Sequence, residues 1–402
     1  MTAIASSPVT VRPVRRRARR LRWSAWTSAV LTVGAATIVA APAAEAAPQL
    51  SVTTVASGLS IPWDVEVAPD GTALMTQRAG GFVAVRPGGA VVRPRADFSR
   101  LFVVKEAGLM GLAFDPGFTA NHRVYTCQAE SRGGASSSIA GGSADLPLPF
   151  PSTGQVVNVV AWRMSDDWSA ATRERTVVTG IPVTASGRHV GCGLAVSGST
   201  LWIGTGDTAT PSVPQSRQSL GGKVLRASLD GGPASIYTLG HRNVQGVAVQ
   251  PGSGRVYAIE QGTDRDDELN LLRAGGNYGY RPDRAPLIYD ESVPMTDPVR
   301  VPGAIGAVWS SGSPTLATTA LQFLPATGWG EFGGGLAVST LKGERLVFMR
   351  LSDDGQSVVS TVEALAGHGR LRGLAVAPDG SLLVTTSNGN STDQLLRVRW
   401  VG

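Results

Sequence analysis

The stretch Ile236–Tyr280 reads IYTLGHRNVQGVAVQPGSGRVYAIEQGTDRDDELNLLRAGGNYGY, and it contains two strand-like apolar runs with polar groups beside them. Apolar residues alternate in Val247–Val249, a turn follows at Pro251-Gly252, and a second apolar run, Val256–Ile259, comes after it. Apolar alternation that ends in a Pro or Gly turn predicts antiparallel β-strands. The polar groups beside these runs, such as Gly240-His241-Arg242-Asn243, then lie at strand ends and face a common cleft.

The same unit, a short apolar strand that runs into a Pro- or Gly-containing turn, occurs six times. The six segments are Val65–Gly71, Leu112–Gly117, Leu194–Ser199, Val247–Gly252, Leu321–Pro325 and Leu374–Gly380. Most successive units are roughly 45 to 55 residues apart and two intervals are longer, which is typical of four-stranded blades with insertions. We therefore predict an all-β fold, a six-bladed β-propeller of four-stranded antiparallel sheets.

A propeller has to close its ring, because an open sheet edge invites pairing with other chains. Leu50–Ala56 is the candidate closing strand, and we expect it to pair with the blade formed by Leu371–Trp400. Gly133–Gly154 is rich in Gly, Ser and Pro and has no strand pattern, so we expect a long surface insertion there. Pro282–Trp309 is predicted to be a second irregular connection.

The N-terminal segment has a composition of its own. Seven arginines precede an apolar stretch at Ala25–Ala41, and Ala44-Glu45-Ala46 fits a signal-peptidase site. Arg19-Arg20 is compatible with the twin-arginine export route. We expect residues 1–46 to be an export signal and residues 47–402 to be the single propeller domain, with a retained membrane anchor as the alternative.

The same segment also explains the charge of the chain. Its seven arginines and one glutamate give a net charge of +6, which equals the net charge of the whole sequence. The remaining chain is neutral, so the basic composition does not indicate a polyanion as partner. We expect no binding to nucleic acid.

The chain contains two cysteines, Cys127 and Cys192, which lie beside strands of neighbouring predicted blades. Export would place them in an oxidising compartment, where a disulfide is stable. We expect a disulfide between them, and two buried free thiols are the alternative.

The polar groups of the opening stretch, His241-Arg242-Asn243, Gln261-Gly262-Thr263 and Gly275–Gly279, resemble those of the soluble quinoprotein glucose/sorbosone dehydrogenases, including the aldose sugar dehydrogenases. The resemblance extends from about Leu59 to Trp400. It implies pyrroloquinoline quinone (PQQ) and Ca²⁺ as cofactors. It also implies oxidation of an aldose at C1 to the lactone by hydride transfer to the quinone, followed by electron transfer to an external acceptor.

The candidate catalytic base is His189, which precedes the predicted strand Leu194–Val196. The next predicted strand, Leu201–Gly204, leads to Asp207, and adjacent antiparallel strands would bring this carboxylate near the imidazole. Such a contact fixes the tautomer of a histidine and raises its basicity. Without the resemblance, a histidine beside glycines is more simply a turn residue; the resemblance implies the catalytic role and adds Arg242 as the group that stabilises charge on the quinone.

A planar tricarboxylic quinone needs cations, hydrogen-bond donors and a flat surface. Arg370 and Arg372 are two residues apart at the start of a predicted strand, so alternation sends both side chains to one face. Surface solvation is the alternative for any one of these cations. The resemblance implies that the cofactor is bound by Glu106, Arg242, Asn243, Gln261, Trp309, Lys342, Arg370 and Arg372.

The resemblance also implies two calcium ions. One would join the quinone to the main-chain carbonyls of Gly262 and Thr263 and act as a Lewis acid. The other, structural, would be bound by Glu268 and the carbonyl of Tyr278. From the residues alone, the acidic run around Glu268 is equally a solvated turn.

Several positions depart from the pattern of the family. Arg188 occupies a position that is acidic in the glucose-selective members, and Glu106 replaces their glutamine. Val244 and Thr263 replace prolines, and Tyr280 replaces a tryptophan. The change at Arg188 puts glucose preference in doubt, so we expect a broad range of aldose substrates.

Two other functions fit a secreted or otherwise extracytoplasmic propeller. A calcium-dependent lactonase or hydrolase would need several carboxylates around one metal. A non-catalytic propeller that binds sugar or protein would have lost the cofactor residues, and here they are largely present. A membrane is expected as a partner only if the leader is retained.

Overall fold

Six four-stranded antiparallel sheets make up the fold, which confirms the predicted six-bladed β-propeller. The structure is a computed structural model that describes residues 49–131, 137–138, 154–285 and 287–401. The predicted export signal at residues 1–46 and most of the predicted insertion at 133–154 lie outside these ranges.

The strands follow one another along the chain blade by blade. The chain begins with β1 (Leu50–Leu59) and continues with β2 (Pro62–Val67), β3 (Ala73–Gln77), β4 (Phe82–Val85) and β5 (Val91–Val92), of which β2–β5 form blade 1. The next strands are β6 (Phe102–Val103), β7 (Leu109–Phe114), β8 (Arg123–Ser131), β9 (Ser137–Ser138), β10 (Gln155–Met164) and β11 (Ala171–Ile181). Blade 2 consists of β7, β8, β10 and β11, while β6 and β9 pair in parallel outside it.

The second half of the chain is regular. Blade 3 consists of β12 (Gly191–Ser197), β13 (Thr200–Thr205), β14 (Lys223–Ser228) and β15 (Ser235–Leu239), and blade 4 of β16 (Val244–Val249), β17 (Val256–Glu260), β18 (Glu268–Leu271) and β19 (Trp309–Ser310). Blade 5 consists of β20 (Thr318–Phe323), β21 (Leu336–Thr340), β22 (Leu346–Leu351) and β23 (Val358–Ala364), and blade 6 of β24 (Leu371–Val376), β25 (Leu382–Thr386), β26 (Asp393–Trp400) and β1. Two short helices, Phe118–Asn121 and the 3-10 helix Gly330–Phe332, lie in connections.

Strand β1 closes the ring. It pairs antiparallel with β26, so that Leu50 lies opposite Trp400 near the two ends of the described chain. The expected pairing of Leu50–Ala56 with the last blade is therefore confirmed, and the observed strand extends three residues further, to Leu59. The innermost strands β2, β7, β12, β16, β20 and β24 each contact the innermost strand of the next blade.

Small residues allow these innermost strands to approach each other closely. A Cβ atom on Gly111 of β7 would lie 2.1 Å from the carbonyl oxygen of Cys192 on β12, and one on Gly246 of β16 would lie 2.8 Å from the carbonyl oxygen of Thr319 on β20. Blade 1 has Asp64 at the equivalent place, and its carboxylate accepts a hydrogen bond from the backbone N–H of Leu112 at 2.9 Å. At these points the innermost strands of neighbouring blades are thus packed backbone against backbone.

The two cysteines form a disulfide that joins blade 2 to blade 3. Cys127 lies on β8, Cys192 lies on β12, and both are buried. The sequence separation is 65 residues. The expected pairing is confirmed, and the described chain has no free cysteine.

Loss of this disulfide is expected to lower the free energy of unfolding by roughly 2–4 kcal/mol, because a cross-link that closes a long loop restricts the unfolded chain. Urea denaturation of the wild type and of the Cys127→Ala/Cys192→Ala double variant measures the effect. Reductant should shift the wild-type midpoint toward that of the variant and leave the variant unchanged. An unchanged wild-type midpoint after complete reduction would contradict the prediction.

Two further points concern the connections. Within the predicted insertion Gly133–Gly154, Ser137–Ser138 form β9, so the expectation of a stretch without strands is wrong at these two residues, where β6 supplies a backbone partner. The helices found in the described ranges have four residues or fewer, and none of them could cross a membrane.

Candidate functional site

A cavity of about 590 Å³ opens where innermost strands begin and second strands end. These points lie at the same end of a blade, because neighbouring strands run antiparallel. Trp63 and Arg372 lie at the starts of β2 and β24, Arg78 and Gln261 directly follow β3 and β17, and His189 precedes β12. The ring of blades therefore gathers residues from distant parts of the sequence around one space.

One residue of the cavity wall, His189, is paired with a buried carboxylate that lies behind it. The Nδ1 atom of His189 lies 2.8 Å from Oδ1 of Asp207, and the two side chains are 6% and 0% exposed. His189 has a φ of 47°, in the left-handed region, and its backbone N–H donates to Glu106 Oε1 at 3.1 Å. A Cβ atom on Gly206 would lie 1.9 Å from the carbonyl oxygen of His189, so only glycine leaves room for this conformation. The contact holds Nδ1 and leaves Nε2 as the nitrogen for a substrate.

Cations dominate the rest of the wall. Among the described residues that line the cavity, Glu106 is the one carboxylate. The positively charged lining residues are Arg78, Lys105, Arg188, Arg242, Arg370 and Arg372. Such an excess of one sign in a concave site attracts an anion.

Arg372 is one of the two buried members of this set, and Arg242 is the other. The Arg372 guanidinium lies 3.5 Å over the ring of Trp63, and Nη1 is 3.4 Å from Oε1 of Gln245. Its Nε atom has no hydrogen-bond partner among the described residues. Burial lowers the pKa of Arg372 to about 9, with Glu106 opposing and Arg370 adding to the shift. A bound carboxylate would supply the missing partner.

Arg242 is fixed by the loop that follows β17. Its Nη1 donates to the carbonyls of Gly262 at 2.6 Å and Gln261 at 3.1 Å, and Nη2 lies 3.4 Å from Glu291. Its Nε atom is also without a partner in the described part of the chain. The Gly262 carbonyl, which the family resemblance assigns to calcium, thus already accepts one hydrogen bond.

Glu106 is surrounded by donors. Its Oε2 atom accepts from the amides of Asn243 and Gln245, each at 3.1 Å. Asn243 is fully buried and supports the wall from behind rather than lining it. Gln261 does line the cavity and donates to the carbonyl of Thr318 at 3.0 Å. The predicted cofactor residues Glu106, Asn243 and Gln261 therefore lie together. Glu106 and Gln261 line the cavity, and Asn243 lies behind them.

A second group of oxygen atoms lies in the core of blade 4. Glu260 and Glu268 face each other across β17 and β18 and are buried. Burial and the charge of Glu260 raise the pKa of Glu268 well above its ordinary value. The Oδ1 atom of Asn270, also buried, has no partner among the described residues, and Tyr278 stacks on His241 with ring centroids 4.7 Å apart. A cation bound here would relieve the repulsion between the two carboxylates.

The described ranges contain no cluster of three or more His, Cys, Asp or Glu side chains arranged to bind a metal. The calcium positions that the sequence suggests use carbonyl oxygens for three of their four protein ligands. Of these residues, Gly262 and Thr263 line the cavity, while Glu268 and Tyr278 lie in the core of blade 4.

Besides Asn243, two of the predicted cofactor residues do not line the cavity: Trp309 and Lys342. Trp309 lies on β19, the outermost strand of blade 4, and packs against the core between blades 4 and 5. The aromatic surface of the cavity comes from Trp63 instead. Lys342 is exposed in the turn after β21, next to Leu341, which does line the cavity.

Four residues of the site were missed in the sequence. Trp63 occupies the same place in its repeat as Arg372, two residues before the apolar start of the repeated segment, so the repeat register could have found it. Arg78 follows a strand without any motif around it. Tyr289 and Glu291 come from the irregular segment between β18 and β19, where no periodicity predicts a position.

The closed propeller and the cation-rich cavity at one end of its ring fit a protein that binds an anionic ligand at that place. The Glucose / Sorbosone dehydrogenase family model matches residues 59–397, and the chain belongs to this family. The resemblance noted in the sequence is thereby confirmed.

Individual relatives agree with this assignment. Aldose sugar dehydrogenase YliI of Escherichia coli (strain K12) is 26% identical over 359 residues, which cover 85% of this chain and 90% of that protein. The PQQ-bound aldose sugar dehydrogenase of Streptomyces coelicolor superposes with a TM-score of 0.69 at 26% identity and covers 88% of this chain and 99% of its own. The apo soluble aldose sugar dehydrogenase of Escherichia coli, with a TM-score of 0.72 at 24% identity over 88% of this chain and all of its own, supports the fold.

Proposed function

We propose that this protein is a PQQ- and calcium-dependent dehydrogenase that oxidises aldose sugars at C1 to the lactone and passes the electrons to an external acceptor. The observation that carries the proposal is the lining of one cavity. It contains His189, which pairs with Asp207 behind the wall, and several arginines, three of which have an Nε atom without a partner among the described residues: Arg78, Arg242 and Arg372. The similarity to two aldose sugar dehydrogenases, one of them bound to PQQ, supports it.

The residues present fit a tricarboxylate cofactor. Arg370 and Arg372 line the same side of the cavity and are the proposed partners of its carboxylates. Arg242 and Gln261 are the proposed partners of its quinone oxygens, and Lys342 stays a proposed contact at the edge of the cavity. When bound, PQQ supplies the two-electron acceptor that takes the hydride from C1 of the sugar.

The protein groups perform the other steps. Nε2 of His189 takes the proton of the anomeric hydroxyl, because Asp207 holds Nδ1 and thereby fixes the tautomer. Arg242, held by two backbone carbonyls, stabilises the negative charge that develops on the acceptor side. C1 becomes the carbonyl carbon of the lactone once its hydroxyl proton and its hydrogen have left.

Calcium is proposed at two places. The carbonyls of Gly262 and Thr263 would hold one ion, which would polarise the quinone as a Lewis acid. The Gly262 oxygen has a second lone pair besides the one that accepts from Arg242, so both contacts are chemically allowed. The second ion would be bound by Glu268 and the Tyr278 carbonyl, and the unpartnered Asn270 Oδ1 supports this position.

We propose a broad range of sugar substrates because the charge of Arg188 at the cavity is paired with a carboxylate. Its Nη2 lies 2.7 Å from Oε1 of Glu291, and both side chains are partly exposed. Burial by itself would raise the pKa of Glu291, but Arg242, His189 and Arg188 lower it overall. The charged pair leaves the wall neutral at this point, so neutral aldoses of different shape are accepted.

We also propose that the protein is exported and works outside the cytoplasm. The Cys127–Cys192 disulfide supports this proposal, since structural disulfides persist in oxidising compartments. The electron acceptor and the sugar are the proposed small-molecule partners.

Reconstitution tests the proposed function directly. Purified apoprotein is expected to reduce an artificial electron-accepting dye when PQQ, Ca²⁺ and an aldose are all present, and not when any one of them is omitted. Chelation of Ca²⁺ before PQQ is added should prevent activation. The product should be the lactone, which is identified by chromatography against authentic standards. Several different aldoses should be oxidised.

The same assay separates the other functions. Hydrolysis of a lactone with Ca²⁺ alone would indicate a hydrolase, although the cavity wall carries one carboxylate among its described residues rather than several. Binding of sugar without dye reduction in the complete mixture would indicate a non-catalytic propeller. Either result would overturn the proposal.

A further inference from the structure

The irregular segment between β18 and β19 places one side chain against the carboxylate of the candidate base. The hydroxyl of Tyr289 donates to Oδ2 of Asp207 at 2.6 Å, while Oδ1 of the same carboxylate lies 2.8 Å from Nδ1 of His189. The Tyr289 hydroxyl is also 3.3 Å from that Nδ1 atom. The two oxygen atoms of Asp207 are thus divided between a phenol and an imidazole.

Further contacts hold this arrangement from behind. The hydroxyl of Tyr280, which is fully buried, donates to the hydroxyl of Tyr289 at 3.0 Å. Tyr280, Tyr289, Val293 and Met295 pack together as a small apolar cluster. The segment is thereby anchored next to the cavity.

The hydroxyl of Tyr289 acts as a donor. Burial and the charge of Asp207 raise the pKa of Tyr289 well above its ordinary value, so the phenol keeps its proton. Oδ1 of Asp207 also accepts from the backbone N–H of Ala209 at 2.8 Å. A carboxylate with both oxygen atoms engaged by fixed donors cannot rotate, and the ring plane of His189 is fixed with it.

We propose that Tyr289 is a positioning residue that orients Asp207 and, through it, holds the His189 imidazole with Nδ1 protonated and Nε2 directed at the sugar. The inference rests on the proposed function of His189 as the base. It concerns the irregular segment between β18 and β19, in which the sequence predicted no catalytic residue. Loss of this hydrogen bond should leave the pocket intact and slow the proton transfer.

The Tyr289→Phe variant tests the proposal, because it removes the hydroxyl and keeps the ring. In PQQ-loaded enzyme we expect the single-turnover rate of cofactor reduction by an aldose to fall roughly tenfold, which corresponds to about 1.4 kcal/mol. We expect KM for the sugar and the affinity for PQQ to stay within about twofold. A variant that is merely less well folded would lose active sites but keep the rate per loaded site.

A second measurement does not depend on the cofactor. In the apoprotein, the imidazole Nδ1–H of His189 should give a downfield proton NMR resonance, because it is buried and bonded to a carboxylate. We expect this resonance to shift and broaden in Tyr289→Phe. Tyr280→Phe, which removes the more distant hydroxyl, should give a smaller change in both rate and spectrum.

Tyr257→Phe is the matched control. Its hydroxyl is buried and donates to the carbonyl of Gly355 at 2.9 Å, away from the cavity. This variant should leave the rate and the downfield resonance unchanged. A single-turnover rate of Tyr289→Phe within twofold of the wild type, or an unchanged His189 resonance, would overturn the positioning role.

The two proposals fail in distinguishable ways. If the wild type oxidises sugars and Tyr289→Phe does so equally fast, the positioning role is wrong while the proposed function holds. If the NMR resonance responds to Tyr289→Phe but the wild type oxidises no sugar, the hydrogen-bond arrangement is correct and the assignment of His189 as a sugar base is wrong.

Discussion

Replacement of His189 by alanine is expected to lower the single-turnover rate of sugar oxidation by roughly a hundred- to ten-thousand-fold, the range that loss of a general base produces. Of the four histidines, His189 is the one that lines the cavity. His241 is fully buried, with Nδ1 2.7 Å from Glu260 and Nε2 2.9 Å from Thr238. No second imidazole is therefore placed to take over the proton transfer.

The His189→Ala substitution should slow the chemical step without destabilising the fold. In His189→Ala, Asp207 keeps its hydrogen bonds from Tyr289 and from the backbone of Ala209, so its carboxylate is not left without donors. We expect PQQ affinity within about threefold of the wild type. His122→Asn is the control, because His122 lies beside the helix Phe118–Asn121, pairs with Asp166 and is not among the residues that line the cavity. A fall of less than tenfold for His189→Ala would argue against the base.

The fold could be predicted because its main physical requirement repeats in the sequence. Each innermost strand is packed between the next strand of its own blade and the innermost strands of both neighbouring blades. Because this environment is the same in every blade, each innermost strand has the same sequence pattern, an apolar run followed by a turn. The closing strand was predictable for a different reason: a sheet edge needs a partner, and Leu50–Ala56 was the strand pattern left over at the other end of the chain. Strand β9 was missed, since two residues carry no periodicity.

The site was predictable where neighbouring strands of one blade fix the geometry. His189 and Asp207 flank two adjacent strands, and Arg370 and Arg372 are separated by one residue of a strand, so strand geometry alone brings each pair together. Trp309 was predicted to line the cofactor site, but it follows a long irregular connection. The position of a residue after such a connection depends on the path of the chain and not on the alternation of a strand. Trp309 ends on the outer edge of its blade.

The same limit explains the residues that were missed. Tyr289 and Glu291 reach the site through a segment whose path depends on burial of the small cluster around Tyr280, a tertiary contact that no local pattern encodes. Trp63 differs, because aligning the six repeats would have placed it beside Arg372. The repeat register is therefore a signal for residues that face the centre of a propeller, and it complements motif matching.

The Arg372→Met variant is expected to weaken PQQ binding by roughly tenfold to a hundredfold, which corresponds to loss of a hydrogen bond between charged groups, about 1.5–3 kcal/mol. Arg372 is 7% exposed, stacks on Trp63 and has an unpartnered Nε atom, so its charge lacks a full set of partners in the protein alone. A tricarboxylate would provide them. Titration of apoprotein with PQQ, followed by fluorescence, measures the affinity.

The Arg372→Met substitution should not destabilise the apoprotein. We expect its thermal stability to rise or to stay the same, although PQQ binding becomes weaker. Burial lowers the pKa of Arg372 to about 9, below its ordinary value, and a cation with a lowered pKa destabilises the folded state while it is charged. At neutral pH the charge is present, so its removal relieves this cost, and the apoprotein should melt at the same temperature as the wild type or higher. Arg350→Met, an exposed position in blade 5, should change neither property. A PQQ affinity within threefold of the wild type, or a loss of apoprotein stability that accounts for weaker binding, would show that Arg372 is a packing residue rather than the centre of an anion site.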